Sequence, residues 1–399
     1  MAADRTPATD QPGRARTSAG LLTARGWAVL VGGLALAVPA GILGSRELTV
    51  VVGCALVAVA VAVLLVVRKP RLTVTRDIHP ARVTRGVEAL ARVTVTNKAL
   101  LPSTPAVGID ACGDTVSELP LPRLGPGRVR ARTYRLPTDR RGRFTVGPLR
   151  IARADPLGLA HRVQEQGSTE TLWVHPRQHA VPSVGAGRVR RLDGPEIDRL
   201  PHGTITFHAL REYVMGDDLR HIHWRTSARM GELMVREHID VSVPVLTVLV
   251  DNRGSVHDRR SFEDALEVVA SLAVAADRER YACLVRAVSG EAVGGASEVG
   301  EPVAKLDLLA ELSLTDAPLT DAVGALRREP ARDTLVVVTG RPTAADLAPA
   351  VGLHRQYPHT VVVALNGGEP LALGVPGVTV HTAADGAEAV ARWNAGARR

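Results

Sequence analysis

The chain has 399 residues, enough for two or three domains, and its cores must be built from small aliphatic side chains because only 3% of the residues are aromatic. The net charge of +8 at pH 7 is typical of nucleic-acid-binding proteins, but residues 1–76 hold nine basic and three acidic residues and carry +6 of it. The other 323 residues carry only +2, which argues against a nucleic-acid ligand. Three cysteines without a CxxC spacing argue against a disulfide framework or a structural zinc site.

The amino-terminal part predicts a tail followed by a membrane hairpin. Residues 1–26 are expected to be a disordered basic N-terminus, because residues 1–20 are rich in Ala, Thr, Pro, Gly and Arg. Two uncharged stretches follow, WAVLVGGLALAVPAGILG and LTVVVGCALVAVAVAVLLVV. A helix needs about 20 apolar residues to cross the hydrocarbon core, so we predict two transmembrane helices within residues 27–67. A signal peptide is the alternative for the first stretch.

Basic residues cluster at the two ends of this hairpin, before its first stretch and after its second. They are Arg5, Arg14, Arg16 and Arg25 before the first stretch, and Arg68, Lys69, Arg71 and Arg76 after the second. The turn between the stretches holds only Arg46, which Glu47 offsets. By the positive-inside rule both ends face the cytoplasm. We therefore expect a multi-pass protein of the cell membrane whose soluble domains are cytoplasmic.

Residues 71–176 have a hydrophobic period of two. The segments are RLTVTRDI, EALARVTVTN, RVRARTYRLP, GRFTVGPLRIAR and ETLWVHP, separated by Pro, Gly and Asn. Short strands at this spacing predict a small all-β domain, an Ig-like sandwich or barrel. Arg128, Arg130 and Arg132 fall at alternate positions, which favours a solvated strand face over a binding surface. DPLGL, residues 155–159, is predicted to be a turn.

Residues 243–399 alternate between strand and helix patterns. VPVLTVLVD, YACLVRAV, DTLVVVTG and HTVVVALN are apolar strands, and the stretches between and after them have helical period, with Ser261 as a candidate cap of the first helix. Near-continuous apolar strands are expected where both faces of a sheet are buried. The alternation predicts an α/β domain with a doubly wound parallel sheet.

The strand that ends at Asp251 resembles the first strand of a von Willebrand factor A domain, in which Asp-x-Ser-x-Ser holds a divalent metal. Asp251 and Ser255 match, and Thr320 can stand for the family's threonine, but Arg253 and Gly340 replace oxygen ligands. Because Mg²⁺ needs clustered oxygen ligands, we expect a degenerate site near Asp251, Ser255 and Thr320 and no metal cofactor. Arg253 should pair with Asp251 instead. From sequence alone, Arg253→Ser with Gly340→Asp should restore metal affinity.

Residues 177–242 connect the two predicted domains and hold the run GDDLRHIHWRTSARMGELMVREH. A metal cluster would use His221, His223 and an aspartate, but two residues apart on a helix the two imidazoles point about 200° from one another. A nucleic-acid site needs an excess of positive charge, whereas five arginines meet six acids between residues 211 and 240. A hydrolase or nuclease using Asp217, His223 and Asp251 is the catalytic alternative, although no nucleophile motif accompanies them.

The same run also has a structural interpretation. Tyr213, Trp224 and Met230 can anchor the segment, with Trp224 buried among charged residues, while Arg220 and Arg229 bind carboxylates. The segment then either locks onto the α/β domain or presents a surface to a partner. Residue chemistry alone leaves both possibilities open.

REYVMGDDLRHIHWRTSARMGELMVREH, which we call the signature segment (residues 211–238), resembles the signature of the domain of unknown function 58 family. The matching residues are Arg211, Tyr213, Gly216, Asp217, Arg220, Ile222, Trp224, Ala228 and Arg229. The runs RRGRFTVGPLRIARADPLGL and LWVHPR and the two-span amino terminus are also similar to the family.

This resemblance implies a membrane-anchored, von Willebrand factor A-like protein that works beside a MoxR-type AAA+ ATPase, often with a transglutaminase-like membrane protein. We therefore expect a non-catalytic adaptor or scaffold that acts in the assembly or maturation of a cell-envelope or membrane complex. No cofactor and no nucleic-acid partner are expected.

Overall fold

The computed structural model of the chain describes residues 21–67, 72–184, 206–214, 222–239, 245–295, 302–329 and 333–396. Residues 1–20 of the predicted disordered tail therefore lie outside the described residues. The chain divides into two compact units. The first consists of Met1–Ala81, Glu88–Pro137 and Phe144–Leu172, and the second of Arg82–Val87, Thr138–Arg143 and Trp173–Arg399.

The first unit begins with two apolar helices, α1 (Ala24–Leu43) and α2 (Arg46–Val67). The Thr23 hydroxyl caps α1 by accepting a hydrogen bond from the Gly26 amide at 3.1 Å. Gly44 ends that helix in the left-handed region with a φ of 62°, which a residue without Cβ adopts at little cost. Both helices are long and apolar enough to cross a membrane, as the hydropathy of residues 27–67 predicts.

Short strands occupy the next hundred residues. They are β1 (Leu72–His79), β2 (Arg82–Thr84), β3 (Ala89–Asn97), β4 (Ala106–Cys112), β5 (Thr115–Leu121), β6 (Val129–Leu136), β7 (Gly142–Val146), β8 (Leu149–Ala154), β9 (His161–Gln166) and β10 (Glu170–His175). Within the first unit, one antiparallel sheet has the order β1-β3-β6. In another, β4 pairs with β5 and β8, and β8 pairs with β9. In the second unit β2 pairs in parallel with the end of β10.

The core of the first unit contains a buried ion pair. Arg76 donates from Nη2 and Nε to the two carboxylate oxygens of Asp110 at 2.6 and 3.0 Å. Its Nη1 donates to the carbonyl oxygens of Val146 and Ser168, both at 3.0 Å. The Tyr134 hydroxyl donates to Asp110, and burial together with this bond raises the pKa of the phenol. Buried charges persist where they are paired and hydrogen-bonded in this way.

The remaining elements belong to the second unit. They are β11 (Thr206–Glu212), α3 (Trp224–Met230), β12 (Met234–Ile239), β13 (Val245–Val250), α4 (Arg259–Arg278), β14 (Ala282–Ala287), β15 (Ala292–Gly294), α5 (Pro302–Glu311), α6 (Leu319–Arg328), β16 (Thr334–Thr339), α7 (Ala344–Val351), β17 (His359–Ala364), β18 (Val378–Thr382) and α8 (Gly386–Gly396).

In the described part of this unit, β13 to β18 form a sheet with the order β15-β14-β13-β16-β17-β18. Its strands are parallel except for the edge strand β15. Leu246, Val248 and Val250 pack into a core with α4, α5 and α8, whereas Leu249 packs into a second core with α6 and α7. Because successive strand residues face opposite sides, helices cover both faces of the sheet. This explains the unbroken apolar strands and shows the mixed α/β region that the sequence predicts.

The cap of α4 corrects one sequence expectation. Asp258, not Ser261, is the N-cap residue, and its carboxylate accepts from the Ser261 amide at 2.7 Å. The Ser261 hydroxyl lies 3.0 Å from the Asp258 amide and completes a capping box. Ser261 therefore has a capping role, but from the third position of the helix.

Candidate functional site

The described part of the signature segment folds as a β ribbon with a short helix between its strands. β11 pairs antiparallel with β12, and α3 lies between them in the chain. Beyond the strand ladder, the Tyr213 amide donates to the Leu233 carbonyl and the His223 amide to the Met234 carbonyl, each at 2.8 Å. Ile222 forms a bridge with Val235. The segment is thus held by its own backbone bonds.

His223 is a helix cap in this structure. Its Nδ1 accepts from the Thr226 amide at 3.2 Å, so the imidazole satisfies an orphan donor at the start of α3. The buried Ser227 hydroxyl accepts from the Met234 amide at 2.8 Å and donates to the His223 carbonyl. Gly231 ends the helix with a φ of 78°. These bonds give His223 and Ser227 a structural role.

The expected burial of Trp224 is wrong. Trp224 is 67% exposed and Met230 is 65% exposed, so neither anchors the segment. Ile222 at 5% exposure and Ser227 at 7% fill the interior positions instead. The Ser227 hydroxyl bonds to the backbone of His223 and Met234, so its face of α3 packs against the ribbon, and the two large apolar side chains of α3 lie outside the interior. Tyr213 is half-buried.

The other matched positions divide into two groups. Ala228 and Arg229 lie on α3 and are exposed. Arg211 lies on β11. Gly216, Asp217 and Arg220, together with His221 of the metal hypothesis, lie outside the described residues.

Large apolar side chains are exposed along the described signature segment. They are Val214 at 63%, Trp224 at 67%, Met230 at 65% and Leu233 at 42%. Scattered exposed apolar residues need no explanation, but these four fall within 20 residues. Tryptophan is also enriched among the residues that dominate binding energy at protein interfaces. The signature segment is therefore the candidate site for contact with another protein.

A second candidate lies at the carboxyl ends of β13 and β16. Asp251, which follows β13, is fully buried, and Arg253 donates to both its carboxylate oxygens, from Nε at 2.8 Å and from Nη2 at 2.9 Å. The expected pairing of these residues is confirmed. Thr339, the last residue of β16, also donates its hydroxyl to Asp251 at 2.8 Å. The pairing with Asp251 raises the pKa of Arg253.

The rest of the predicted degenerate metal site differs from Asp251 in burial. Ser255 and Thr320 are exposed. A Cβ atom at Gly340 would lie 2.1 Å from the Val256 carbonyl oxygen, so the position has no room for a side chain. Across the described ranges, no group of three or more His, Cys, Asp or Glu could hold a metal ion. The residues present therefore do not fit a divalent cation.

His257 borders this region and is buried. Burial is the largest effect on it and lowers its pKa from the ordinary value. Its Nδ1 lies 3.2 Å from the Ser261 hydroxyl, and its ring makes an edge contact with Phe262. These contacts place the imidazole in the packing beneath α4.

The second unit also contains a cavity of about 880 Å³ that the sequence interpretation missed. Arg85 contacts Glu263 at 3.1 Å and Glu267 at 3.2 Å, Arg141 contacts Glu263 at 3.0 Å, and His179 contacts Glu267 at 2.9 Å. Arg141 also donates to the carbonyl of Leu312 at 2.8 Å. Paired charges on its wall favour a structural network over an anion site. The run RRGRF, which contains Arg141, could have indicated this cavity in the sequence, but its pattern predicted only a strand.

Comparison with known proteins gives one family match. Residues 209–388 match the model described as "Protein of unknown function DUF58". No curated protein matches the chain.

Solved structures give weak likenesses. A CARDB domain from Pyrococcus furiosus, solved with di-metal ions, has 17% identity and a TM-score of 0.21, covering 26% of this chain and 93% of that one. The alkylpurine DNA glycosylase AlkC of Pseudomonas fluorescens has 18% identity and a TM-score of 0.17, covering 25% and 31%. A GH2 β-galacturonidase from Eisenbergiella tayi has 7% identity and a TM-score of 0.18, covering 73% and 45%. TM-scores this low carry no argument about fold or function.

Proposed function

Residues 209–388 of this chain belong to the DUF58 family, and from this premise we propose that the protein is a non-catalytic, membrane-anchored adaptor that binds a protein partner through its signature segment. The observation that carries the proposal is the exposure of Trp224 and Met230 on α3. An indole that is mostly exposed on its own fold is available as an anchor at an interface. The two apolar helices supply the membrane attachment.

The partner we propose is a MoxR-type AAA+ ATPase, together with a membrane protein of the same complex. Its support is the sequence resemblance of the signature segment, while the α/β region supplies the proposed von Willebrand factor A-like module. In that module the Arg253–Asp251 ion pair stands where the resemblance would place a metal. The process proposed is assembly or maturation of a cell-envelope or membrane complex.

The contacts of the described residues do not favour the hydrolase alternative. His223 uses Nδ1 to cap α3, and both oxygens of Asp251 accept from the Arg253 guanidinium. Asp217, the third residue of that hypothesis, lies outside the described residues. Turnover of an ester, peptide or nucleic-acid substrate by the purified full chain would support an enzyme in place of an adaptor.

Replacing Trp224 with alanine is expected to weaken binding of the ATPase at least about 30-fold, equivalent to about 2 kcal/mol for a binding hot spot. Its effect on stability should stay within about 0.5 kcal/mol, because the indole is exposed. Calorimetric titration of the detergent-solubilised full chain with the purified ATPase measures the first effect, and thermal unfolding measures the second.

Leu101→Ala is the matched control, since Leu101 is 94% exposed but lies in the first unit. It should leave binding unchanged. Equal binding by the wild type and Trp224→Ala would refute the proposed surface. A large loss of stability in Trp224→Ala would instead show that the indole packs inside the protein.

Both ends of the hairpin are expected to face the cytoplasm. Basic residues cluster before the first helix and after the second, whereas in the turn between them the charge of Arg46 is offset by that of Glu47. Fusions after residue 70 measure this directly. A fluorescent protein should be fluorescent there, and alkaline phosphatase should be inactive. Active phosphatase would place the soluble region across the membrane and remove a cytoplasmic ATPase as partner.

A further inference from the structure

We propose that residues 155–159, which we call the 155–159 turn, insert into the membrane surface beside the hairpin, and that the groove between this turn and α2 holds a lipid acyl chain. The inference rests on the membrane anchoring in the proposed function and adds a second point of attachment. It concerns the first unit alone.

The 155–159 turn is fixed to the start of α1. The Thr23 hydroxyl donates to the carbonyl oxygens of Gly158 at 2.7 Å and Leu159 at 3.1 Å, and the Thr23 amide donates to Leu159 at 2.9 Å. Gly26 permits this approach, because a Cβ there would lie 2.0 Å from the Leu159 carbonyl oxygen. The His161 amide donates to the Leu21 carbonyl at 2.9 Å. Hairpin and turn therefore form one packed structure.

Asp155 forms hydrogen bonds with backbone groups of the 155–159 turn and of the residue that follows it. It is 6% exposed, and its carboxylate accepts from the amides of Leu157 at 2.8 Å and Ala160 at 2.6 Å. The Gly158 amide donates to the Asp155 carbonyl at 3.0 Å. Backbone groups without partners cost several kcal/mol in hydrocarbon, so this closure suits a turn in contact with lipid. Leu157, 63% exposed, is left at its tip.

The groove beside the turn is apolar. Its volume is about 560 Å³. One face of α2 forms its wall, and Asp155, Pro156 and Leu157 form the opposite side. The residues of that face are Val50, Gly53, Cys54, Val57, Ala58, Val61, Ala62 and Leu65. Continuity with a helix apolar enough to cross a membrane identifies the occupant: the lipid that surrounds α2 extends into the groove.

The position of the turn along α2 sets its depth. Leu159 and Ala160 pack in one cluster with Val59, Ala62 and Val66, and α2 ends at Val67. At about 1.5 Å per residue, Val59 lies about 12 Å from that end. The 22 residues of α2 span about 33 Å, close to the roughly 30 Å of a hydrocarbon core. The helix therefore has little slack. Leu159, at the end of the turn, packs within about 12 Å of the end of α2, near the depth of about 5–10 Å typical of interfacial segments, and the groove continues along α2 to Val50, about 26 Å from that end.

A tryptophan placed at the tip of the turn tests this inference. Leu157→Trp is made in the full chain and reconstituted in vesicles of phosphatidylcholine and phosphatidylglycerol with acyl chains brominated near the headgroup. Subtracting the wild-type emission isolates the new indole. We expect brominated lipid to reduce this emission by about half or more, at the depth of an interfacial segment. Leu101→Trp, at a position 94% exposed, should lose none of its added emission.

The native Trp27 of α1 separates the failure of this inference from the failure of the anchor. Its emission is the difference between the wild type and Trp27→Phe. If brominated lipid quenches Trp27 but not the tryptophan of Leu157→Trp, the turn does not insert, although the hairpin still anchors the protein in the membrane. If neither is quenched, the membrane anchor itself fails.

The packing at Gly26 gives an independent test. Gly26→Leu should push the 155–159 turn off α1 and reduce the quenching of Leu157→Trp, because its first side-chain atom would collide with backbone. Gly32→Leu is the control, since a Cβ there meets nothing within 4 Å. Equal quenching in both backgrounds would contradict the proposed fixation of the turn to the hairpin.

Discussion

Replacing Asp110 with alanine should lower the free energy of unfolding of the first unit by about 3–5 kcal/mol, the range for a buried ion pair that loses one partner. The side chains of Arg76 and Asp110 are 3% and 0% exposed. Without the carboxylate the guanidinium stays among apolar strands, with the carbonyls of Val146 and Ser168 as acceptors but with no counter-charge. The phenol of Tyr134 loses its acceptor as well.

Hydrogen exchange of the β1, β3 and β6 amides in the detergent-solubilised full chain measures this loss. Asp114→Ala, at an exposed position between β4 and β5, is the control and should change little. The double variant Arg76→Met with Asp110→Leu should recover most of the loss, because apolar residues of similar volume often replace a buried pair without cost. Equal protection in Asp110→Ala and Asp114→Ala would refute a stabilising role for the pair.

Arg76 illustrates what a sequence count can and cannot provide. The positive-inside count treats it as one more basic residue beside the hairpin, whereas the structure places it in the core, paired with Asp110. Its partner is 34 residues away on β4. The strand pattern of LTVTRDIH predicts β1 correctly, but no local pattern shows which carboxylate meets the arginine.

Strand prediction failed where alternation was weak. β4 and β5 lie in AVGIDAC and TVSELPL, in which a glycine and a proline interrupt the pattern. β9, HRVQEQ, alternates between half-buried and exposed residues and has no apolar face. Pairing with neighbouring strands, which a single segment cannot show, decides such cases. In the α/β region the strands buried on both faces were predicted, and the edge strands β15 and β18 were missed.

The two candidate sites also show that contacts between residues close in sequence are predictable, whereas contacts that depend on the tertiary fold are not. The Arg253–Asp251 pair was predictable because the residues are two apart and a carboxylate at a strand end favours a nearby guanidinium. Thr339 joins Asp251 only because β13 and β16 are adjacent strands, 88 residues apart in the chain. Trp224 was assigned to the interior from its charged neighbours. Its exposure depends on which face of α3 packs against the ribbon, which those neighbours do not determine.

The geometry around Gly340 reverses the sequence-based expectation that Arg253→Ser with Gly340→Asp would restore a metal site. The Val256 carbonyl accepts from the Arg341 amide at 2.7 Å, which holds the loop after β13 against Gly340. A Cβ at residue 340 would lie 2.1 Å from that carbonyl oxygen and 2.7 Å from Nδ1 of His257. Aspartate therefore cannot enter as a ligand unless two backbone segments move apart.

Gly340→Asp should accordingly destabilise the α/β region by about 3 kcal/mol, the upper part of the usual range for overpacking. Thermal unfolding of the full chain measures this, with Gly324→Ala as control, because the nearest atom to a Cβ there is the flexible end of Arg328 at 3.8 Å. Calorimetry should find that the double variant with Arg253→Ser binds Mg²⁺ no more tightly than the wild type. The opposite outcome is a double variant that is as stable as the wild type and binds Mg²⁺ at micromolar concentration. It would show that the loop can move away from residue 340, and that Arg253 alone prevents metal binding in the wild type.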